Sequence, residues 1–161
     1  MTNQVVKTIK SVLDNKVVDC LAGTINYCQG ELSLEPRGGV YGIAIKLEEN
    51  EKEKFFRDHN EKNTSKDDIE LKNWITLGDG YYPLYWGKDS NLGFRLFSHI
   101  HTRESTGTLQ LDSRDYLHNY IKANRIIYGA VLCSDISDCE AKLRDLYPDI
   151  FKTHAGEHDY Q

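Results

Sequence analysis

Long apolar runs are missing from this sequence. No stretch approaches the roughly 20 residues needed to cross a bilayer, and the opening MTNQVVKTIK lacks the uninterrupted apolar core of a signal peptide. The expected setting is cytoplasmic, with no membrane partner. Cysteine is scarce as well. Cys20, Cys28, Cys133 and Cys139 form no C-x-x-C pair and have no histidines at finger spacing, which argues against a zinc framework and for reduced thiols in or beside the core. A general excess of positive charge is also lacking. The formal net charge of -5 speaks against indiscriminate binding of polyanions. Internal repeats and low-complexity tracts are absent too.

What is present belongs to a folded, soluble chain. Its 161 residues fit a single domain able to bury a core without staples. Hydrophobic residues at 39% against 28% charged ones place it among globular rather than disordered sequences. The charge is unevenly spread. Residues 85–130 hold six Lys/Arg and four Asp/Glu, a local +2; of the 20 basic and 25 acidic residues this leaves 14 and 21 elsewhere, or -7. That region is where an anionic ligand would be sought, although ordinary scatter of surface charge explains such counts equally well.

Val5, Val6, Ile9, Val12 and Leu13 recur near the helical period and predict a first helix; Val17, Val18, Leu21 and Ile25 predict a second over 17–27, ending near Gly30. GGVYGIAIKL, residues 38–47, reads as a strand from its β-branched and aromatic content. Residues 48–73 are charge-dense, with Phe55 and Phe56 the strongly apolar members near their middle, and read as a solvated helix and loop inserted at the surface. WITLGDGYYPLYWG predicts two short strands around a Gly-Asp-Gly turn, with Pro83 marking an edge or a bulge. Asp89 or Ser90 can cap a helix from Asn91 towards Arg103. DSRDYLHNYIKA is helical in pattern, RIIYGAVLC is an apolar strand, and Ser137 can cap a helix through Leu146 that Pro148 ends.

YPLYWGKDSNLGFRLFSH, residues 82–99, concentrates a tyrosine, an arginine and a histidine. Arg95 and His99 are four apart and project from one helical face, while Leu92, Leu96 and Ile100 form a separate apolar stripe able to face a sheet. Tyr85, ten residues before Arg95, ends the preceding strand. A tight return of that helix lets Tyr, Arg and His line one concave surface.

G-V-Y-G-I at Gly39 to Ile43 and Y-W-G-K at Tyr85 to Lys88, then N-L-x-x-R-L and a histidine four after the arginine, resemble the GIY-YIG nuclease superfamily. The resemblance spans residues 38–151. The helix holding C-E-A-K-L stands where that family carries its metal-binding glutamate, here Glu140. The implied fold is α/β of the α+β type: a small, mainly antiparallel sheet flanked by helices. Residues 1–161 would form one such domain, with 1–37 as a helical N-terminal extension and 48–73 as the charged insertion.

By the same resemblance Tyr41 accepts the proton of the attacking water and His99 relays it, a task that needs a perturbed phenol because the ordinary pKa is about 10. Arg95 grips the scissile phosphate through its planar fork. Tyr85 holds phosphate or water, Lys88 adds charge, and Glu140 gives an oxygen ligand to a single Mg²⁺ that keeps several waters. The implied activity is Mg²⁺-dependent hydrolysis of DNA phosphodiester bonds, restriction-like in that the insertion or the N-terminal helices contribute to target choice. A homodimer is compatible with it.

Each residue has a plainer role open to it. Tyr41 and Tyr85 could be sheet aromatics with satisfied hydroxyls, Arg95 and His99 a solvated helix face, and Glu140 the third residue of a capping box begun by Ser137. His154 and His158 have helical metal-ligand spacing but stand in a polar tail. Three features depart from the family pattern: the long connection from Tyr41 to Tyr85, Trp86 in place of an aliphatic residue, and the absence of an asparagine after Pro148. The alternative reading is a catalytically weak or inactive module of the same fold that binds nucleic acid or a protein partner.

Overall fold

The computed structural model describes residues 2–13, 19–26, 37–62, 69–91, 99, 111, 114–133 and 137–151. Among these, helix α1 (Gln4–Val12) is followed by strands β1 (Cys20–Thr24) and β2 (Gly39–Lys46), helix α2 (Glu49–Lys62) and strand β3 (Tyr81–Asp89). Then come the short helix α3 (His118–Lys122), strand β4 (Ile126–Leu132) and helix α4 (Ser137–Leu146). The sheet is antiparallel throughout, in the order β1-β4-β2-β3. This is the expected α/β arrangement of the α+β type, a small antiparallel sheet with helices packed on it. No helix among the described residues is long and apolar enough to cross a membrane.

Strand alternation sends successive side chains to opposite faces, so each face gathers its own core. Tyr41, Ile43, Ile45, Tyr85, Tyr128 and Ala130 build one cluster with Phe55 and Phe56 of α2, Trp74, Ile121 of α3 and Phe151. Val40, Ala44, Trp86, Ile127 and Val131 build the other with Val5, Val6 and Ile9 of α1 and Cys139 and Leu143 of α4. Full burial of each α1 valine or isoleucine contributes about 1.5–3 kcal/mol.

The docking of α1 depends on two glycines that face each other across β2 and β4. Gly42 pairs with Gly129, and beyond them in the same row lie Trp86 and Ala22. A Cβ at Gly42 would strike the Trp86 ring and Val5, and one at Gly129 would strike Asn3 and Val5. The bare backbone is what lets the helix come this close. Asn3 then closes the helix N-terminus, accepting from the Val6 N–H at 3.1 Å while its amide donates to the Tyr128 carbonyl at 2.8 Å.

Three expectations are corrected. The helix expected over 17–27 is replaced, among the described residues, by a strand: Cys20 to Thr24 form β1, paired with Val131 to Ile127. Short apolar runs satisfy either period, and here an open edge of β4 decided the matter. The segment before the Gly-Asp-Gly turn is not a strand either; Gly78 makes a single bridge to Tyr81, with Gly78, Asp79 and Gly80 all at positive φ. Trp74 instead buries its ring and donates Nε1–H to the Pro83 carbonyl at 2.7 Å. Finally, α2 is more than a solvated insertion, because Phe55, Phe56 and His59 are buried on its inner side. The bulge foreseen at Pro83 is present as a register shift between Ile43 and Ala44.

The outer edge of β3 is covered by the chain that follows α4. The Phe151 N–H donates to the Leu84 carbonyl at 2.9 Å, the Trp86 N–H to Asp149 Oδ2 at 2.9 Å, and Trp86 Nε1–H to the Tyr147 carbonyl at 2.8 Å. The first two bonds satisfy backbone groups of β3 that an edge strand would otherwise leave open. His59 ties the same segment to α2: its Nε2 lies 3.0 Å from the Ile150 carbonyl and its Nδ1 2.7 Å from the Tyr116 hydroxyl.

Candidate functional site

Tyr41 is the centre of the candidate site. Its neighbours in the row across the sheet are Gly87 on β3 and Ala130 on β4, two of the smallest residues available. A Cβ at Gly87 would run into the Tyr41 hydroxyl and ring, so the phenol lies in the space that glycine leaves open. From there the Tyr41 hydroxyl reaches His99 Nε2 at 2.6 Å, a buried hydrogen bond between residues 58 positions apart. Both side chains are fully buried.

Tyr85 completes an aromatic trio. It stands opposite Ile43, two residues along from Tyr41 and on the same face. The Tyr85 and His99 rings are 5.0 Å apart, Tyr41 and His99 5.6 Å, and Tyr41 and Tyr85 6.1 Å, all tilted. Tyrosines on adjacent strands and a histidine from a third segment therefore meet. Arg95 lies outside the described residues, as do His154, His158 and, apart from Asn91 and His99, the helix expected from Asn91 towards Arg103. Asp89 is described and accepts from the Asn91 N–H at 2.8 Å.

Lys88 and Glu140 are placed differently. Lys88 stands opposite Val40, so it leaves β3 on the face that packs α1, away from Tyr41, and is exposed. Glu140 lies in the first turn of α4, where its Oε1 is 3.4 Å from Arg144 Nη1. Glu140 is linked to the trio through Arg144, whose guanidinium lies over the Tyr85 ring at 5.3 Å.

Arg144 and Asp149 are the residues that sequence reasoning missed. Arg144 Nε is 3.5 Å from Asp149 Oδ2, and its Nη2 donates to the Trp86 carbonyl. Asp149 is 2% exposed, so its carboxylate has left water for the Trp86 N–H and this guanidinium. Burial works against the Arg144 charge, but Asp149, Glu140 and a hydrogen bond with Tyr85 more than offset it and hold the group above its ordinary pKa. The i, i+4 spacing of Glu140 and Arg144 was a legible signal. Nothing in the spacing announced Asp149.

As a metal position Glu140 offers one carboxylate, with Oε1 turned to Arg144. Mg²⁺ bound through one carboxylate and waters fits that donor set. Asp149, committed to Trp86 and Arg144, does not add a second ligand. Among the described residues no cluster of three or more His, Cys, Asp or Glu side chains forms. A separate open cleft of about 400 Å³ is lined by Glu51, Lys54, Asp58, Tyr120 and Arg125 among others. Its charges pair with each other, Arg125 with Glu51 and Lys54 with Asp58, which leaves little demand for an ionic ligand.

No family model, curated protein or solved structure matches the chain.

Proposed function

We propose that the protein is a Mg²⁺-dependent endonuclease of the GIY-YIG type that hydrolyses DNA phosphodiester bonds, restriction-like in its elaborations. The observation that carries this reading is the buried bond between Tyr41 and His99 with Tyr85 packed against both. A phenol in direct contact with an imidazole can pass a proton to it, so Tyr41 can take the proton of an attacking water while His99 takes the one from the phenol. Tyr85 bounds the same space and offers its hydroxyl to water or phosphate. Arg95 is assigned the scissile phosphate; Lys88, on the other face of the sheet, is left out of the chemistry. Glu140 would hold the Mg²⁺, which supplies Lewis-acid stabilisation of the charge that builds on phosphate oxygens.

A second reading is supported by burial. Tyr41 and His99 have no exposed surface and Glu140 is paired with Arg144, features that suit a module of this fold that binds nucleic acid or a protein partner with little or no cleavage. Plasmid and phage DNA incubated with the protein in Mg²⁺ or in EDTA separate the two. The nuclease gives metal-dependent nicks or fragments, and Tyr41→Phe abolishes them while leaving DNA affinity in place. Cleavage that persists in Tyr41→Phe would remove the tyrosine from the mechanism. DNA retention without cleavage on a broad panel of substrates selects the second reading.

A further inference from the structure

The two halves of the candidate site lie on opposite faces of the sheet. Tyr41 and Tyr85 belong to the cluster covered by α2, whereas α4, which carries Glu140, packs with α1 on the Trp86 side. Arg144 rounds the edge of β3 between them. It touches the Tyr85 ring on one side, pairs with Glu140 on the other, and is anchored midway by Asp149 and the Trp86 carbonyl. Such a fork is rigid and directional, and Glu140, Asp149, the Trp86 carbonyl and the Tyr85 hydroxyl all draw on it.

We propose that Arg144 is a positioning residue of this site, joining Tyr85 to Glu140 and serving as the built-in counter-ion with which an incoming divalent cation competes for the Glu140 carboxylate. The inference rests on the metal role proposed for Glu140. It has two consequences of opposite sign. While Arg144 is present, Glu140 is partly neutralised and binds a cation weakly. When Arg144 is removed, the carboxylate is released, but Tyr85 and Glu140 lose their common tether.

The full-length protein is titrated with Mn²⁺ by calorimetry and by the electron paramagnetic resonance of the free ion, without DNA. In Arg144→Gln, Mn²⁺ should bind about tenfold more tightly, because the positive charge paired with the Glu140 carboxylate is gone. Glu140→Gln should lose that binding, and Arg144→Gln/Glu140→Gln should lose it equally. In the same Arg144→Gln protein the cleavage rate should fall about tenfold or more as the tether is lost. A merely structural arginine would instead weaken both properties together. If Arg144→Gln unfolds because Asp149 is left buried and charged, Arg144→Gln/Asp149→Asn removes that charge and is titrated in its place. Unchanged or weaker Mn²⁺ binding in the folded variant overturns the proposal. If the wild type takes up no Mn²⁺, binding gained in Arg144→Gln still supports it, and none gained overturns it. A wild type that never cleaves DNA refutes the nuclease reading while the titration still decides the part played by Arg144.

Discussion

Lowering the pH from 7 to 5 should destabilise the protein through His59, by an amount that follows from its surroundings. The Ile150 carbonyl can only accept, so His59 Nε2 carries the proton; Nδ1 then presents its lone pair to the Tyr116 hydroxyl. The ring is 2% exposed and packs edge-on against Phe151 at 4.6 Å. Burial pushes its pKa down from 6.5 to about 4, the Ile150 carbonyl opposing and the Arg114 charge assisting. Between those values the unfolded chain binds a proton that the folded one refuses, so stability rises with pH across this window. The contribution is present in full above pH 6.5 and is lost as pH falls towards 4. The whole shift corresponds to about 3 kcal/mol, of which about 2 kcal/mol is lost between pH 7 and pH 5. For a chain of this size that is a fall in Tm of about 4–8 °C. Urea denaturation at the two pH values measures it, with His59→Gln as the comparison. Gln can still donate from Nε2 to the Ile150 carbonyl and does not titrate, so the variant should be weaker at pH 7 but lose much less on going to pH 5. An equal loss in both proteins, or a folded-state His59 titrating near 6.5 by NMR, would refute the reasoning.

Gly87→Ala should cost about 1–3 kcal/mol, because its Cβ meets the Tyr41 ring and hydroxyl and Tyr41 has little room to move; a melt gives the loss, and the histidine NMR signals report whether the bond to His99 breaks. Asn3→Ala removes the α1 cap and the bond to the Tyr128 carbonyl and should cost about 1–2 kcal/mol, whereas Asn3→Asp keeps the cap oxygen and should fall between the two in urea unfolding. Glu51→Gln breaks a partly exposed pair with Arg125 and should cost at most about 1 kcal/mol, less still in high salt. The hydrogen bond to Arg125 holds the Glu51 carboxyl below its ordinary pKa, so any contribution is present at neutral pH and lost in acid, as a pH series of the variant against wild type will show.

Much of the architecture was legible along the chain because it rests on local rules. The apolar period of Val5, Val6 and Ile9, the β-branched Val40, Ile43 and Ile45 around Tyr41, the apolar run after Arg125, and the helix and stop signals around residues 137–148 each named an element that is present. The candidate residues Tyr41, Tyr85, His99 and Glu140 were also legible, as residue types at recognisable spacings. Which of them touch was not, since pairing register and helix placement are non-local. Gly87 sits opposite Tyr41 only through the β2–β3 register, and that register opens the space from which the phenol reaches His99. Segment 17–27 satisfied a helical pattern, yet the edge of β4 drew Cys20 to Thr24 into the sheet, because backbone hydrogen bonding to a waiting strand outweighs a propensity difference of a few tenths of a kcal/mol per residue. Likewise the charge of α2 was visible but not the burial of His59, which depends on Ile150 and Tyr116 arriving from distant parts of the chain. The sequence by itself determined most of the elements, the alternation of side chains between the two faces of each strand and the residue types on offer; tertiary structure alone decided the fate of segment 17–27 and that Arg144 would stand between Tyr85 and Glu140, because that contact requires α4 to pack against the far face of β3.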